Sequence, residues 1–328
     1  MKKLSALMAL LLFCTFSMAQ HILPTDKKTL QSKEDSMKTF AYKIIEGINP
    51  SDRFFADSSF TKILMRALKT SNSFYYSFDS LPTISMQYAP DSSFKIITWQ
   101  LMLNENLVRH HGVIQMRTAD GSLKRFPLID KTVITNNILD TISNNLGWMG
   151  AIYYKIIQKK YLGKNYYTLL GFDANNIRSD RKLIEVLTFN NDEPIFGGPY
   201  FSRVENMLSP KTTTHSRYIM EYKKDAGPRL SYDPDQDMII LEHLISESGE
   251  TNKKWTYIGD GDYEGFKWLN GQWVHVDKVY NLVTPTDKLP MPKPLRDNEG
   301  NINEKMLKGN EELPVTDPKP VKKKKDQY

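Results

Sequence analysis

The chain has 328 residues, of which 40% are hydrophobic and 25% charged, with a formal net charge of +6 and a single cysteine, Cys14. So mild a basic excess is not the footprint of a nucleic-acid binder. One cysteine supplies neither an internal disulfide nor a cysteine-based zinc or iron site.

Taken from the start, Lys2 and Lys3 form a short positive segment, followed by an unbroken small-and-apolar run from Leu4 through Phe16. Ser17-Met18-Ala19 then places small residues before Gln20, the pattern of an export leader spanning 1–19 with cleavage before Gln20. The apolar run is shorter than the roughly 20 residues a membrane span needs. Phe13 occupies the position before Cys14 where a lipoprotein signal needs a small residue, which argues against lipidation there. Removal of Lys2 and Lys3 leaves a mature charge of +4, no cysteine and no stretch of membrane-spanning length.

Residues 20–72 read as an N-terminal helical segment. Met37, Ala41, Ile44, Ile45 and Ile48 recur at helical spacing, and Gly47, Asn49 and Pro50 close that helix. A second helix is expected to start at Asp57-Ser58, good capping residues, with Phe60, Ile63, Leu64, Ala67 and Leu68 as its apolar stripe. Two such faces cannot be buried alone, so the pair should pack on the sheet that follows.

Residues 73–284 read as an antiparallel β-rich domain. Strands are expected at 83–88, 94–101, 113–118, 122–128, 151–158, 166–172, 182–189, 217–223, 230–233, 238–246, 255–258, 266–269 and 273–276. Asp120-Gly121 and Asn270-Gly271 are hairpin signals, because glycine accepts positive φ without steric cost. Lys159 to Asn165 reads as a polar hairpin loop. Ile134, Ile138 and Ile142 suggest a helix across Lys131–Asn145. The expected class is therefore α+β and mainly antiparallel β, a β-meander with an N-terminal helical pair. The meander could close as a barrel, stack as a sandwich or repeat as irregular propeller-like blades. Residues 285–328, rich in proline and lysine and ending in Lys322–Lys325, read as a disordered tail.

Candidate chemistry is sparse. Asp260, Asp262 and Glu264 alternate before Gly265 like the start of a calcium loop, but the twelfth position, where calcium loops carry glutamate, is Gly271. A turn rich in glycine and aspartate competes with that reading, and Asp233–Asp237 reads as a turn outright. Trp255, Tyr257, Tyr263, Trp268 and Trp273 form a candidate ligand-binding aromatic patch, against the alternative that they pair across strands in the core. His110 and His111 should point to opposite sides of a strand. No nucleophile elbow, zinc-binding histidine pair or cofactor motif is present in the sequence.

Tyr263-Glu264-Gly265, Trp268 and Asn270-Gly271 resemble one MORN repeat, which implies a β-hairpin. The stretches Trp148–Ile156, Lys164–Phe172 and Arg181–Phe189, with Pro194 and Phe196-Gly197, resemble a family of uncharacterised exported bacterial proteins with no known activity. That resemblance implies an exported β-rich domain and no catalytic residues.

The leading expectation is a non-enzymatic binding or interaction module of the bacterial cell envelope, periplasmic, outer-envelope associated or secreted. An envelope protein or a glycan is the expected partner, without nucleic acid and without cofactor. Two alternatives stand beside it: an envelope glycan hydrolase using two carboxylates, and a structural subunit of an envelope assembly.

Overall fold

A computed structural model describes residues 22–280 except positions 82, 105 and 205–211. The expected leader and tail both lie outside the described residues. Two helices precede sixteen mostly antiparallel strands, and no sheet closes into a barrel among the described residues.

Helices α1 (Pro24–Glu46) and α2 (Pro50–Leu68) each carry proline in the first turn, where its missing N–H costs nothing. The second helix thus starts well before Asp57. Asn49 is held extended by the proline after it, and Pro50 already has the φ a helix needs. Asp57 is instead buried inside α2. Arg53 ties the corner between the helices to the sheet, donating from Nη1 to the Gly47 carbonyl at 2.6 Å and from Nε to the Met102 carbonyl at 2.7 Å.

The first sheet is a meander of β1 (Ser85–Tyr88), β2 (Phe94–Asn104), β3 (Leu107–Met116) and β4 (Lys124–Ile129) in that spatial order. The Asp120-Gly121 turn joins β3 to β4 as expected. Alternation along β2 sorts its faces: Ile97, Trp99 and Leu101 pack under the helices, while Phe94 and Ile96 face the next sheet.

The second sheet contains β5 (Ser143–Asn144), β6 (Ile152–Tyr161), β7 (Lys164–Asp173), β8 (Ser179–Asn190) and β9 (Glu193–Phe196), ordered β5-β9-β8-β7-β6. Strand β12 (Arg217–Lys223) shares the edge of β8 with β9. The polar loop expected at 159–165 is mostly strand. Pairing continues to Tyr161 and Lys164, leaving Leu162-Gly163 as a two-residue turn, both at positive φ.

The third sheet contains β10 (Phe201–Val204), β11 (Thr212–His215), β13 (Leu230–Asp233), β14 (Met238–Ser246), β15 (Tyr257–Leu269) and β16 (Gln272–Val276). Its order is β11-β10-β16-β15-β14-β13, and β10 runs parallel to β16, a departure from a pure meander. The two strands expected at 255–258 and 266–269 are one long strand, β15, closed onto β16 by the Asn270-Gly271 turn.

Three apolar layers hold this stack together. One lies between helices and first sheet, one between first and second sheets, and one between second and third. The middle sheet has no solvent-facing side, and its central strand β7 is buried on both faces.

The helix expected across 131–145 does not form. A 3-10 turn at Thr132–Ile134, exposing Val133 and Ile134, is followed by an irregular segment exposing Leu139 and Ile142. Its threonines bond the backbone instead: Thr135 Oγ1 donates to the Lys131 carbonyl at 2.8 Å. Arg217 draws two further carbonyls away, those of Ile138 and of Thr141, the latter at 2.9 Å.

Candidate functional site

A cleft of about 420 Å³ opens between β12 of the middle sheet and β14–β15 of the outer sheet. Its walls carry Tyr218 and Glu221 from β12, Arg181 from β8, Arg203 from β10, His243 from β14, and Tyr257 and Glu264 from β15, with Lys254 at the rim.

A β-bulge aims one of these residues. The register between β14 and β15 shifts between Glu242 and Leu244, which places His243 at the irregularity. Gly259, paired with the neighbouring Leu244, lies under the end of the Glu242 side chain. His243 Nδ1 then meets Asp260 Oδ2 at 2.8 Å.

Glu264 is buried at the base of the cleft. It accepts from Tyr218 Oη at 3.1 Å, and its second oxygen lies 2.7 Å from His275 Nε2. His275 Nδ1 lies 3.1 Å from Asp277, so both ring nitrogens face carboxylates, which accept but do not donate. Burial alone would raise the Glu264 carboxyl. The hydrogen bond and charge of His275, helped by Arg203, outweigh it and hold the group below the usual carboxylate range. Burial and the neighbouring Glu264 charge push the Tyr218 hydroxyl up.

Glu221 accepts from Arg181 Nε at 2.9 Å and from Ser179 Oγ at 2.7 Å. From there a chain of ionisable groups runs inward. Arg181 lies 3.9 Å from Asp173, Asp173 lies 3.6 Å from His110 Nε2, and His110 Nδ1 lies 3.5 Å from Asp130. Asp130 accepts from the backbone of His110 and from Thr132; burial opposes these bonds, yet they hold it well below the usual range. Asp173, with burial dominant, is pushed up.

The aromatic residues singled out in the sequence divide. Tyr257 lines the cleft under Lys254, whose Nζ sits 4.3 Å from its ring centroid, and Trp255 stands beside it under Arg178 at 5.4 Å. Tyr263 packs on Tyr280 instead. Trp268 and Trp273 face each other across the last hairpin, and Trp273 is fully buried with Nε1 donating to Thr168 at 2.8 Å. An alternating strand sends such residues inward, so these two belong to packing and not to a surface patch.

The three acidic candidates also part company: Asp260 turns to His243, Asp262 is exposed, and Glu264 enters the cleft. Gly261, at φ +87°, breaks the alternation between them. Among the described residues no three His, Cys, Asp or Glu side chains converge for a metal ion. His110 and His111 do point to opposite faces, toward Asp130 and Asp57 respectively.

Tyr218, His243, His275, Arg181 and Arg203 escaped sequence reasoning. Strand pairing across long stretches of chain assembles them, and none lies in a local motif. Comparison with protein-family models, curated proteins and solved structures finds no match to this chain.

Proposed function

We propose that the chain is an exported binding module of the bacterial cell envelope that holds an acidic saccharide in the cleft between β12 and β14–β15. Export rests on the leader pattern of residues 1–19. The binding reading rests on the charge arrangement of the cleft. Glu221 and Glu264 are already committed to fixed partners, whereas Arg203 and Lys254 of the lining, and Arg178 outside it, have no carboxylate within ion-pair distance among the described residues.

Rings hold two of these cations in place, Arg178 on Trp255 and Lys254 on Tyr257. Carboxylates of a uronic-acid sugar complement the cations, and the flat aromatic faces complement the sugar ring. A hydrolytic reading needs a carboxylic acid kept protonated near neutral pH, and Glu264 is displaced in the opposite direction.

Calorimetric titration of the mature chain with trigalacturonate, beside neutral maltotriose, tests the reading. Trigalacturonate should bind and maltotriose should not, and Arg203→Ala with Lys254→Ala should weaken binding roughly tenfold or more. No heat with trigalacturonate, or affinity indifferent to both substitutions, refutes the proposal.

A further inference from the structure

A second opening lies on the other side of the molecule's layer order, over the first sheet. The helices pack across β2, and the helix-facing side of β4, carrying Arg125, Pro127 and Ile129, is left uncovered beside α2. The result is a groove of about 430 Å³, within the range of small-molecule sites. Met65, Trp99, Val113, Pro127, Leu128 and Ile129 line it, so its body is apolar.

Its polar groups are few and arranged around that body. Asp57 is buried in α2, and its Oδ1 accepts from Trp99 Nε1 at 2.8 Å and meets His111 Nδ1 at 2.9 Å. Trp99 packs edge-on against the same imidazole at 5.7 Å. The His111 ring is thus fixed, its Nδ1 taken and its Nε2 the nitrogen left for the groove. Thr61 also lines the groove, and its Oγ1 is buried with no hydrogen-bond partner among the described residues. An orphaned hydroxyl of this kind costs about 5- to 150-fold in the folding equilibrium unless something else satisfies it. Lys62 and Arg125 complete the lining, both exposed and neither paired with a carboxylate among the described residues.

We propose that this groove binds a single-chain amphiphile with a carboxylate head, a fatty-acid-like ligand. Its alkyl chain lies along Met65, Val113, Pro127 and Ile129, and its head reaches Lys62 and Arg125. The site is separate from the saccharide cleft and does not depend on it. Charge complementarity selects the head, since the one carboxylate in the lining, Asp57, is already engaged by Trp99 and His111. Apolar burial then sets the affinity, which should rise roughly fourfold per methylene until the groove is full.

Calorimetric titration of the full mature chain with octanoate, decanoate and dodecanoate, each below its micelle threshold, measures this directly. Decanol serves as the headless control. Saturable binding that strengthens along the acid series, with decanol roughly tenfold or more weaker than decanoate, supports the proposal. Lys62→Ala with Arg125→Ala should bring decanoate down to the level of decanol, and Met65→Trp should block both while the melting curve shows each variant folded. Equal affinity for decanoate and decanol overturns the carboxylate assignment. Absence of saturable decanoate binding in the folded protein overturns the site. Sedimentation with anionic phospholipid vesicles, in the absence of decanoate binding, would also overturn it and assign the surface to a bilayer.

Discussion

Among the described residues, two basic side chains are buried almost completely, and their surroundings make them opposites. Arg217 is matched by Glu185, which its guanidinium meets at 3.1 Å, and Tyr153 donates to the same carboxylate. Lys95 has no carboxylate beside it among the described residues. Its Nζ donates to the carbonyls of Ser73 at 3.0 Å and Tyr76 at 2.9 Å, inside a ring of Phe74, Phe78 and Tyr88. Burial pulls the ammonium down from 10.5 to about 7. With the folded value below the unfolded one, the unfolded chain holds the extra proton between those two values, so stability rises with pH across that window. Below about 7 the full penalty is present. Lys95→Met removes it, so the stability of the variant relative to wild type should be most favourable near about pH 6 and should fall by about 2–3 kcal/mol toward about pH 9. Urea unfolding of both proteins at the two pH values gives the answer, and a constant difference would show that Lys95 is charged and satisfied throughout.

Among the elements, the last hairpin is the one most sharply specified by local chemistry. Asn270 and Gly271 both take positive φ, 50° and 83°, as a two-residue turn between right-twisted strands requires. A Cβ on Gly271 would also come within 2.5 Å of the Tyr161 ring. Gly271→Ala should therefore cost about 1–3 kcal/mol in a urea titration, and an unchanged midpoint would mean that the turn relaxes freely. The same locality explains what could be read in the sequence. The helix stripes, apart from Ile48, which lies past the end of α1 and is exposed, the Asp-Gly and Asn-Gly turns and strands such as β13 and β14 are short-range patterns, and they are where expected. Where reading failed, distant groups decide the outcome. Arg217 and the hydroxyls of Thr135 and Thr141 take the carbonyls that a helix at 131–145 would use. Pairing with β14 draws the Asp- and Gly-rich stretch 259–265 into β15. The cleft suffers most, since its walls come from β8, β10, β12, β14 and β15. Only Tyr257 and Glu264 among its lining residues stood out beforehand, both as members of groups that the fold then disperses.

Across the whole molecule, each apolar layer contains one buried tryptophan: Trp99 under the helices, Trp148 between the first two sheets, Trp273 between the last two. The middle sheet links the layers on both of its faces. Leu170→Ala, on the face toward the outer sheet, should cost about 2–5 kcal/mol, and fluorescence and far-UV circular dichroism should shift together as one transition. Separate transitions would show that the layers unfold independently. The outer sheet adds a constraint of time. Its strand β16 is the last to leave the ribosome yet sits between β10 and β15, near the centre of the sheet, and delivers Trp273 to the core. A sheet built this way has a gap until residues 272–276 arrive, so its interior closes only after every other described strand has been made.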